Sequence, residues 1–185
     1  MSRQQSWPAA DNHWTLFLDR DGVLNERPPR DYVREIESFR WLPGVLNALP
    51  ILSEVFGRII IVTNQQGVGL GLMTADQLDM IHQYMLQRIT SAGGRIDAIL
   101  SCTMLRDEPN NCRKPHPHMA IMAKQKFPEI DFVKSIMVGD TESDIMFGKN
   151  AGMITVQIGQ EATIVTPDFR LGSLEEFAWM FKSIS

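Results

Sequence analysis

The chain has 185 residues, 44% of them apolar, and a formal net charge of −4. That length buries one substantial core and is too short for two full domains, while the acidic balance gives no general attraction to nucleic acid or to an anionic membrane. Apolar runs of about 18 residues are absent and the opening MSRQQSWPAADNH lacks the apolar centre of a signal peptide, so a cytoplasmic protein is expected, with a flexible N-terminus over residues 1–12 and one domain over 13–185.

The first apolar run, Trp14 to Leu18, reads as a buried strand and delivers Asp19-Arg20-Asp21-Gly22. A strand's period of two points Asp19 and Asp21 to one side, where like charges about 4 Å apart repel by roughly 4 kcal/mol at a near-surface dielectric. A cation is therefore expected beside them. Residues 26–41 read as a functional loop, followed by a helix over roughly 44–56 with Pro43 at its start. The second run, Ile59 to Val62, leads into Thr63-Asn64-Gln65-Gln66-Gly67. A helix from Thr74 to about Ala92 buries Leu78, Ile81, Met85, Leu86 and Ile89, starts in a Thr74/Gln77 capping box and stops at Gly93-Gly94. His13 and His82 have no partners visible in sequence and read as structural or exposed.

A third run, Ile96 to Leu100, opens a second irregular segment, 103–116, that ends on Arg113-Lys114-Pro115. Cys102 and Cys112, the only two cysteines, are too few for a disulfide framework and are expected as thiols in a reducing compartment. A helix over 117–126 precedes the fourth run, Ile136 to Val138, and its Gly139-Asp140-Thr141-Glu142-Ser143-Asp144. Helix 143–151, strand Ile154 to Ile158 and helix 173–184, with Ser173 and Glu176 as a second box, complete the chain. The eleven methionines read as core filler. Alternating strands and helices predict an α/β fold, a mainly parallel sheet covered on both faces.

In such sheets ligands sit beyond the carboxyl ends of the strands, which is where these polar clusters fall. Converging carboxylates suit a hard divalent cation, most simply Mg²⁺, and a hydroxyl, backbone N–H groups and a lysine suit a phosphate. Together they describe metal-assisted phosphoryl transfer. Asp144 alone has a plainer reading, in the first turn of its helix, where it complements the helix dipole.

From Leu16 to Ile158 these motifs, DRDGV, TN, K and GDTESD in order, resemble the haloacid dehalogenase (HAD) superfamily of aspartate-nucleophile phosphatases. The resemblance implies a three-layer α/β/α Rossmann-like fold. It also implies that Asp19 attacks phosphorus and that Asp21 protonates the leaving oxygen and then activates water. By the same likeness Thr63 and Asn64 hold the phosphate and Lys114 steadies nucleophile and phosphate. Asp140 binds Mg²⁺ with Asp19 and the backbone carbonyl of Asp21, and Asp144 supports Lys114 or the metal shell. The intervals Asp21 to Thr63 and Thr63 to Lys114 leave no room for a substantial cap, so a capless enzyme is expected.

Asp31-Tyr32-Val33, Phe39-Arg40-Trp41-Leu42-Pro43-Gly44-Val45, Thr63-Asn64-Gln65 and Cys112-Arg113-Lys114-Pro115 resemble, more narrowly, the D-glycero-D-manno-heptose 1,7-bisphosphate phosphatases and the related histidinol-phosphate phosphatases. That likeness implies a sugar bisphosphate as substrate, with Gln65 and Arg113 contacting it; a monomer or weak oligomer is expected. Histidinol phosphate or another phosphosugar is the alternative substrate, and a non-catalytic HAD-fold binding protein the alternative class. The family often places a structural zinc before the lysine, through Cys-x-His and Cys-x-Cys. Cys102-Thr103-Met104 and Asn110-Asn111-Cys112 keep two of those four ligands, with His116 and His118 as conceivable substitutes, so a zinc-free loop is expected. Gly67-Val68-Gly69-Leu70-Gly71 also lacks the arginine that many heptose enzymes place before the last glycine.

Overall fold

Alternation inside the apolar runs decides the layering. A computed structural model of the chain describes residues 7–29 and 31–182. In β1 (Thr15–Leu18), Leu16 and Leu18 belong to one core and Phe17 to the other. In β2 (Arg58–Asn64), Ile59 and Ile61 part in the same way from Ile60 and Val62. Strands buried on both faces need cover on both sides. Helices α1 (Val45–Val55), α3 (Ala75–Ser91) and α6 (Leu174–Lys182) pack on one face, and α4 (His118–Lys126) and α5 (Glu142–Ala151) on the other, while the one-turn α2 (Gln66–Gly69) follows β2.

The described residues form a parallel sheet that also contains β3 (Ala98–Cys102), β4 (Ser135–Gly139), β5 (Ile154–Ile158) and β6 (Phe169–Leu171). Its order is β3-β2-β1-β4-β5-β6. The chain therefore builds outward from β1 to β3 and returns to the other side of β1, so that the crossovers diverge between β1 and β4. A ligand crevice is expected at the carboxyl ends of those two strands. Leu18 pairs with Ile61 on one side and Val138 on the other, which sets Asp19, Thr63 and Asp140 around one crevice.

Several local expectations take a different form. The Thr74 box closes as read, with Gln77 N donating to Thr74 Oγ1 (3.1 Å) and Thr74 N to Gln77 Oε1 (2.8 Å). Only half of the Ser173 box forms, because Glu176 accepts instead from Gly172 N. Pro43 lies outside α1, whose N-cap is Gly44 at φ 77°. The third strand begins at Ala98, two residues later than its apolar run, and the preceding Asp97 ties its start to β2, its carboxylate accepting from Ile59 N and pairing with Arg58 and Arg95. Of the N-terminal segment expected to be flexible, residues 1–6 lie outside the described residues, as do 183 and 184 of the last helix. Trp7 meets Phe169 and Phe177 edge-on at 4.7 and 5.8 Å between ring centroids, which holds the start of the described chain against β6 and α6. No described helix is long and apolar enough to cross a membrane.

Candidate active site

Asp19 is the first residue past β1 and is held in place by its own backbone, whose N–H donates to Val138 O of β4 at 2.9 Å. Its Oδ1 accepts from Arg20 N (2.7 Å) and lies 2.7 Å from Lys114 Nζ. Among the described residues no side chain donates to Oδ2, and Asp19 lines the crevice. Lys114 is almost completely buried, and an ammonium has three protons to place. Nζ donates to the carbonyl of Val62 at 2.9 Å and forms ion pairs with Asp19 Oδ1 and, at 2.6 Å, with Asp144 Oδ1. The cation expected opposite the two acids is thus present, anchored in the strand core.

Asp144 answers both readings, one with each oxygen. Oδ1 faces Lys114, while Oδ2 accepts from Thr141 N (3.0 Å) and Thr141 Oγ1 (2.6 Å) and so secures the start of α5. Gly139 is required for this approach, since a β-carbon there would lie 2.1 Å from Asp144 Cβ. Gly22 is required on the other side. Its φ is +90°, and a β-carbon would fall 2.0 Å from Asp140 Oδ2.

Asp21 is held by three side chains. Arg20 donates to both of its oxygens, Asn25 Nδ2 to Oδ1 at 2.8 Å and Gln65 Nε2 to Oδ2 at 2.8 Å. Burial pushes this carboxyl up, but the Arg20 charge and the donated hydrogen bonds outweigh it and hold Asp21 below the usual carboxylate range. Gln65 is fully buried, bonded to Asp21 and to Thr63 Oγ1 (2.9 Å), and lies beneath the crevice. Thr63 and Asn64 line the crevice, and the Asn64 amide also bonds the Lys114 backbone, accepting from Lys114 N (3.0 Å) and donating to Lys114 O (3.3 Å). The amide nitrogen has a second proton, so Asn64 keeps a side-chain donor as well as its backbone. Arg113 borders the crevice half-buried, and its Nη1 is buried with no hydrogen-bond partner among the described residues.

Two participants have no precedent in the motif reading. Arg27, on the loop after β1, pairs with Asp140 Oδ2 at 3.4 Å and with Glu161, tying two loops across the crevice. Arg20 is the second cation beside the acids, and its contact with His82 gives that histidine a partner. The two cysteines depart from the thiol expectation. The end of β3 and the loop before Lys114 return to within 5.6 Å between the Cα atoms of Cys102 and Cys112, and the two are joined in a disulfide.

A family model described as HAD-hydrolase-like matches residues 111–167. Over 174 residues the chain is 39% identical to a D-glycero-alpha-D-manno-heptose-1,7-bisphosphate 7-phosphatase of Mycobacterium bovis, covering 91% of this chain and 92% of that protein. The chain belongs to the heptose-bisphosphate phosphatase family of HAD hydrolases. A D-glycero-beta-D-manno-heptose-1,7-bisphosphate 7-phosphatase of Rhodopseudomonas palustris is 33% identical over 144 residues, 74% of this chain and 78% of that protein. The fold agrees: the D,D-heptose 1,7-bisphosphate phosphatase of B. bronchiseptica, solved with magnesium and phosphate, superposes with a TM-score of 0.83. That match has 26% identity and covers 93% of this chain and 99% of that one. Like other HAD hydrolases without an inserted cap, this family member fills the two intervals between its motifs with ordinary helices, one strand and loops.

The family's magnesium can be tested against the residues present. Ligand atoms of Asp19, Asp140 and Asp144 lie within 4.8 Å of one another, and one lysine serves two of them. Asp140 Oδ1 is buried and has no hydrogen-bond partner among the described residues. Burial, then the neighbouring Asp19 and Asp144, pushes the Asp140 carboxyl up to about 8, and burial followed by Asp144 pushes Asp19 up to about 7 against the pull of Lys114. Three carboxylates with an uncompensated charge and an orphaned oxygen fit a hard divalent cation.

Proposed function

We propose that this chain removes the phosphate on the primary carbon, C7, of a D-glycero-D-manno-heptose 1,7-bisphosphate, with Asp19 as nucleophile and Mg²⁺ as cofactor. The observation that carries the reading is the placement of Lys114. Its ammonium is shared by Asp19 and Asp144, so the Asp19 carboxylate is oriented by Oδ1 while Oδ2 is left to the crevice.

In the first half-reaction Asp19 Oδ2 forms a bond to phosphorus as the bond from phosphorus to the sugar oxygen breaks, and Asp21, which must first take up a proton that Arg20 and its other donors disfavour in the free protein, gives that proton to the oxygen. In the second, Asp21 takes a proton from water, the water oxygen bonds to phosphorus, and the bond from phosphorus to Asp19 breaks. Free phosphate leaves and both aspartates are restored. Thr63 Oγ1 and the backbone of Asn64 receive the phosphoryl oxygens, with the Lys114 charge behind Asp19 offsetting theirs. Asp19, Asp140 and the backbone carbonyl of Asp21 would hold Mg²⁺, which neutralises charge where one anion must approach another. Arg113 would take the phosphate on C1, since its buried Nη1 has no other partner.

For the anomer, the greater identity to the alpha enzyme, 39% against 33% for the beta enzyme, favours the α-bisphosphate. Phosphate release from the separate α- and β-bisphosphates, compared with histidinol phosphate, tests the proposal. A higher kcat/KM on the α-anomer is expected. Faster turnover of histidinol phosphate than of either bisphosphate would overturn the substrate assignment.

A further inference from the structure

Arg20 stands between the two acids of the DRDG turn, yet it is fully buried. A guanidinium is costly to bury unless its donors meet acceptors. Nη2 reaches both oxygens of Asp21, at 3.0 Å to Oδ1 and 2.9 Å to Oδ2, and Nε reaches Oδ1 at 3.3 Å. Nη1 points the other way, to Nε2 of His82 at 3.3 Å. Arginine has no acceptor, so His82 Nε2 must accept and the ring proton sits on Nδ1. The ring is suited to this. Burial, followed by the adjacent guanidinium, pushes His82 down to about 4 and keeps it neutral.

His82 is itself rigidly supplied. It lies four residues after Leu78 and three before Met85 on the buried face of α3, a helix packed on the sheet and closed by the Thr74 box. A chain of contacts therefore runs from the core of α3 through His82 and Arg20 to the carboxylate of Asp21, which borders the crevice. Simple neutralisation of a buried acid would need one ion pair. Here the guanidinium is gripped on both sides, and Asn25 and Gln65 fix the same carboxylate from two further directions. A group that must meet a leaving oxygen and then a water gains from a fixed orientation.

We infer that Arg20 is a positioning residue for Asp21, braced from α3 by His82. The inference rests on the acid–base role proposed above for Asp21, and a mutant cycle separates the two. Asp21→Asn, Arg20→Lys and the double variant are compared with p-nitrophenyl phosphate. A lysine cannot span two carboxylate oxygens and an imidazole at once. Arg20→Lys is expected to lower kcat by about 10- to 100-fold with KM nearly unchanged, as losses of supporting contacts do. In the Asp21→Asn background the same change is expected to cost nothing further, because Arg20 acts through that carboxylate. A loss that multiplies in the double variant, or one confined to KM, overturns the inference. An Asp21→Asn enzyme at the wild-type rate instead removes the acid–base role itself.

His82 supplies a second route that spares the buried arginine. His82→Phe, which removes the acceptor, is expected to lower kcat by roughly three- to tenfold, again with no further loss beside Asp21→Asn. His82→Gln, which keeps an acceptor, is expected to recover most of the rate. An unchanged kcat in His82→Phe, or equal losses in Phe and Gln, overturns the bracing role.

Discussion

Lys114 Nζ lies 2.6 Å from Asp144 Oδ1, and the lysine side chain is only 1% exposed against 0% for the aspartate. Neither charge can turn to water if the other is removed. Burial pushes the lysine's pKa down, but Asp144 and Asp19 together raise it, so the ammonium persists. Removing one member of such a pair costs about 3–5 kcal/mol, because it strands the other. Lys114→Met is therefore expected to lower unfolding free energy by an amount in that range, read from urea denaturation, and to abolish phosphate release. A variant of wild-type stability would show that the pair is neutral to the fold.

Asp19→Asn is expected to behave differently. It takes one charge from a crowded acidic cluster and leaves Lys114 its contacts with Asp144 and Val62. The variant is expected to fold with stability near wild type and to lack turnover, since an amide cannot serve as the attacking carboxylate. Phosphate release at a rate near wild type would transfer the nucleophile role elsewhere.

Asp21→Asn keeps an acceptor for Arg20 and Gln65 only on the Oδ2 side, sets an NH2 against Asn25 and Arg20 Nε, and cannot carry the proton. A loss of about 10²–10⁴-fold in kcat is expected, the usual share of general acid–base catalysis. With p-nitrophenyl phosphate, whose leaving group needs little protonation, the second half-reaction becomes the slow one. Acid-quenched enzyme is then expected to carry phosphate on Asp19, detectable by mass.

Much of this arrangement is legible in the amino-acid order, because the sheet writes itself in apolar runs and the chemistry follows each run's end. Asp19, Thr63, Lys114, Asp140 and Asp144 converge for that reason. What escapes is set by other physics. Strand β6 has only Phe169, Arg170 and Leu171 and no apolar run, and its position is secured by Asp168, which accepts from Thr155 N and Oγ1. The short helix over Gln66–Gly69 holds two glycines in four residues and has no periodicity to read. That the Asn64 amide also bonds the backbone of Lys114, 50 residues away, is invisible to any spacing rule. The Arg20–His82 contact spans 62 residues, and no spacing rule foretells it. The two cysteines are ten residues apart and give no sign in sequence that their loop doubles back.

Acidity and metal binding are expected to be linked. Without a cation, burial and the neighbouring carboxylates push Asp140 up to about 8 and Asp19 up to about 7, both above the ordinary carboxylate value. A raised folded-state value means that the native metal-free protein binds more protons than the unfolded chain between about pH 4 and 8, so its stability falls as pH rises through that window. Asp21 lies below the window, but His82, lowered to about 4, takes up its proton only in the unfolded chain between about pH 4 and 6.5 and offsets the trend there, so the net fall is expected above about pH 6.5. Melting temperatures of chelated protein are expected to decline from about pH 6.5 to pH 8.5, and Mg²⁺ to bind more tightly over the same range as it displaces those protons. Calorimetry showing Mg²⁺ affinity independent of pH would dissociate the cation from Asp19 and Asp140.

Specificity for a bisphosphate is expected to reside in Arg113. Its backbone is fixed by a hydrogen bond from its N–H to Asn111 Oδ1 at 2.8 Å, so the side chain leaves the loop in a set direction. Burial, then the neighbouring Arg106, lowers its pKa, yet its charge persists because a guanidinium resists deprotonation. Nη1 remains buried with no hydrogen-bond partner among the described residues, a desolvated donor that a second phosphate would satisfy and a monophosphate would not. Arg113 also stands next to Lys114, which is already committed to Asp19 and Asp144, so the two cations serve different anions. Arg113→Ala is expected to cost about 1.5–3 kcal/mol in kcat/KM on the heptose bisphosphate, the range of a charged hydrogen bond, and almost nothing on p-nitrophenyl phosphate. Equal losses on both substrates would place Arg113 on the transferred phosphate or in the support of its own loop.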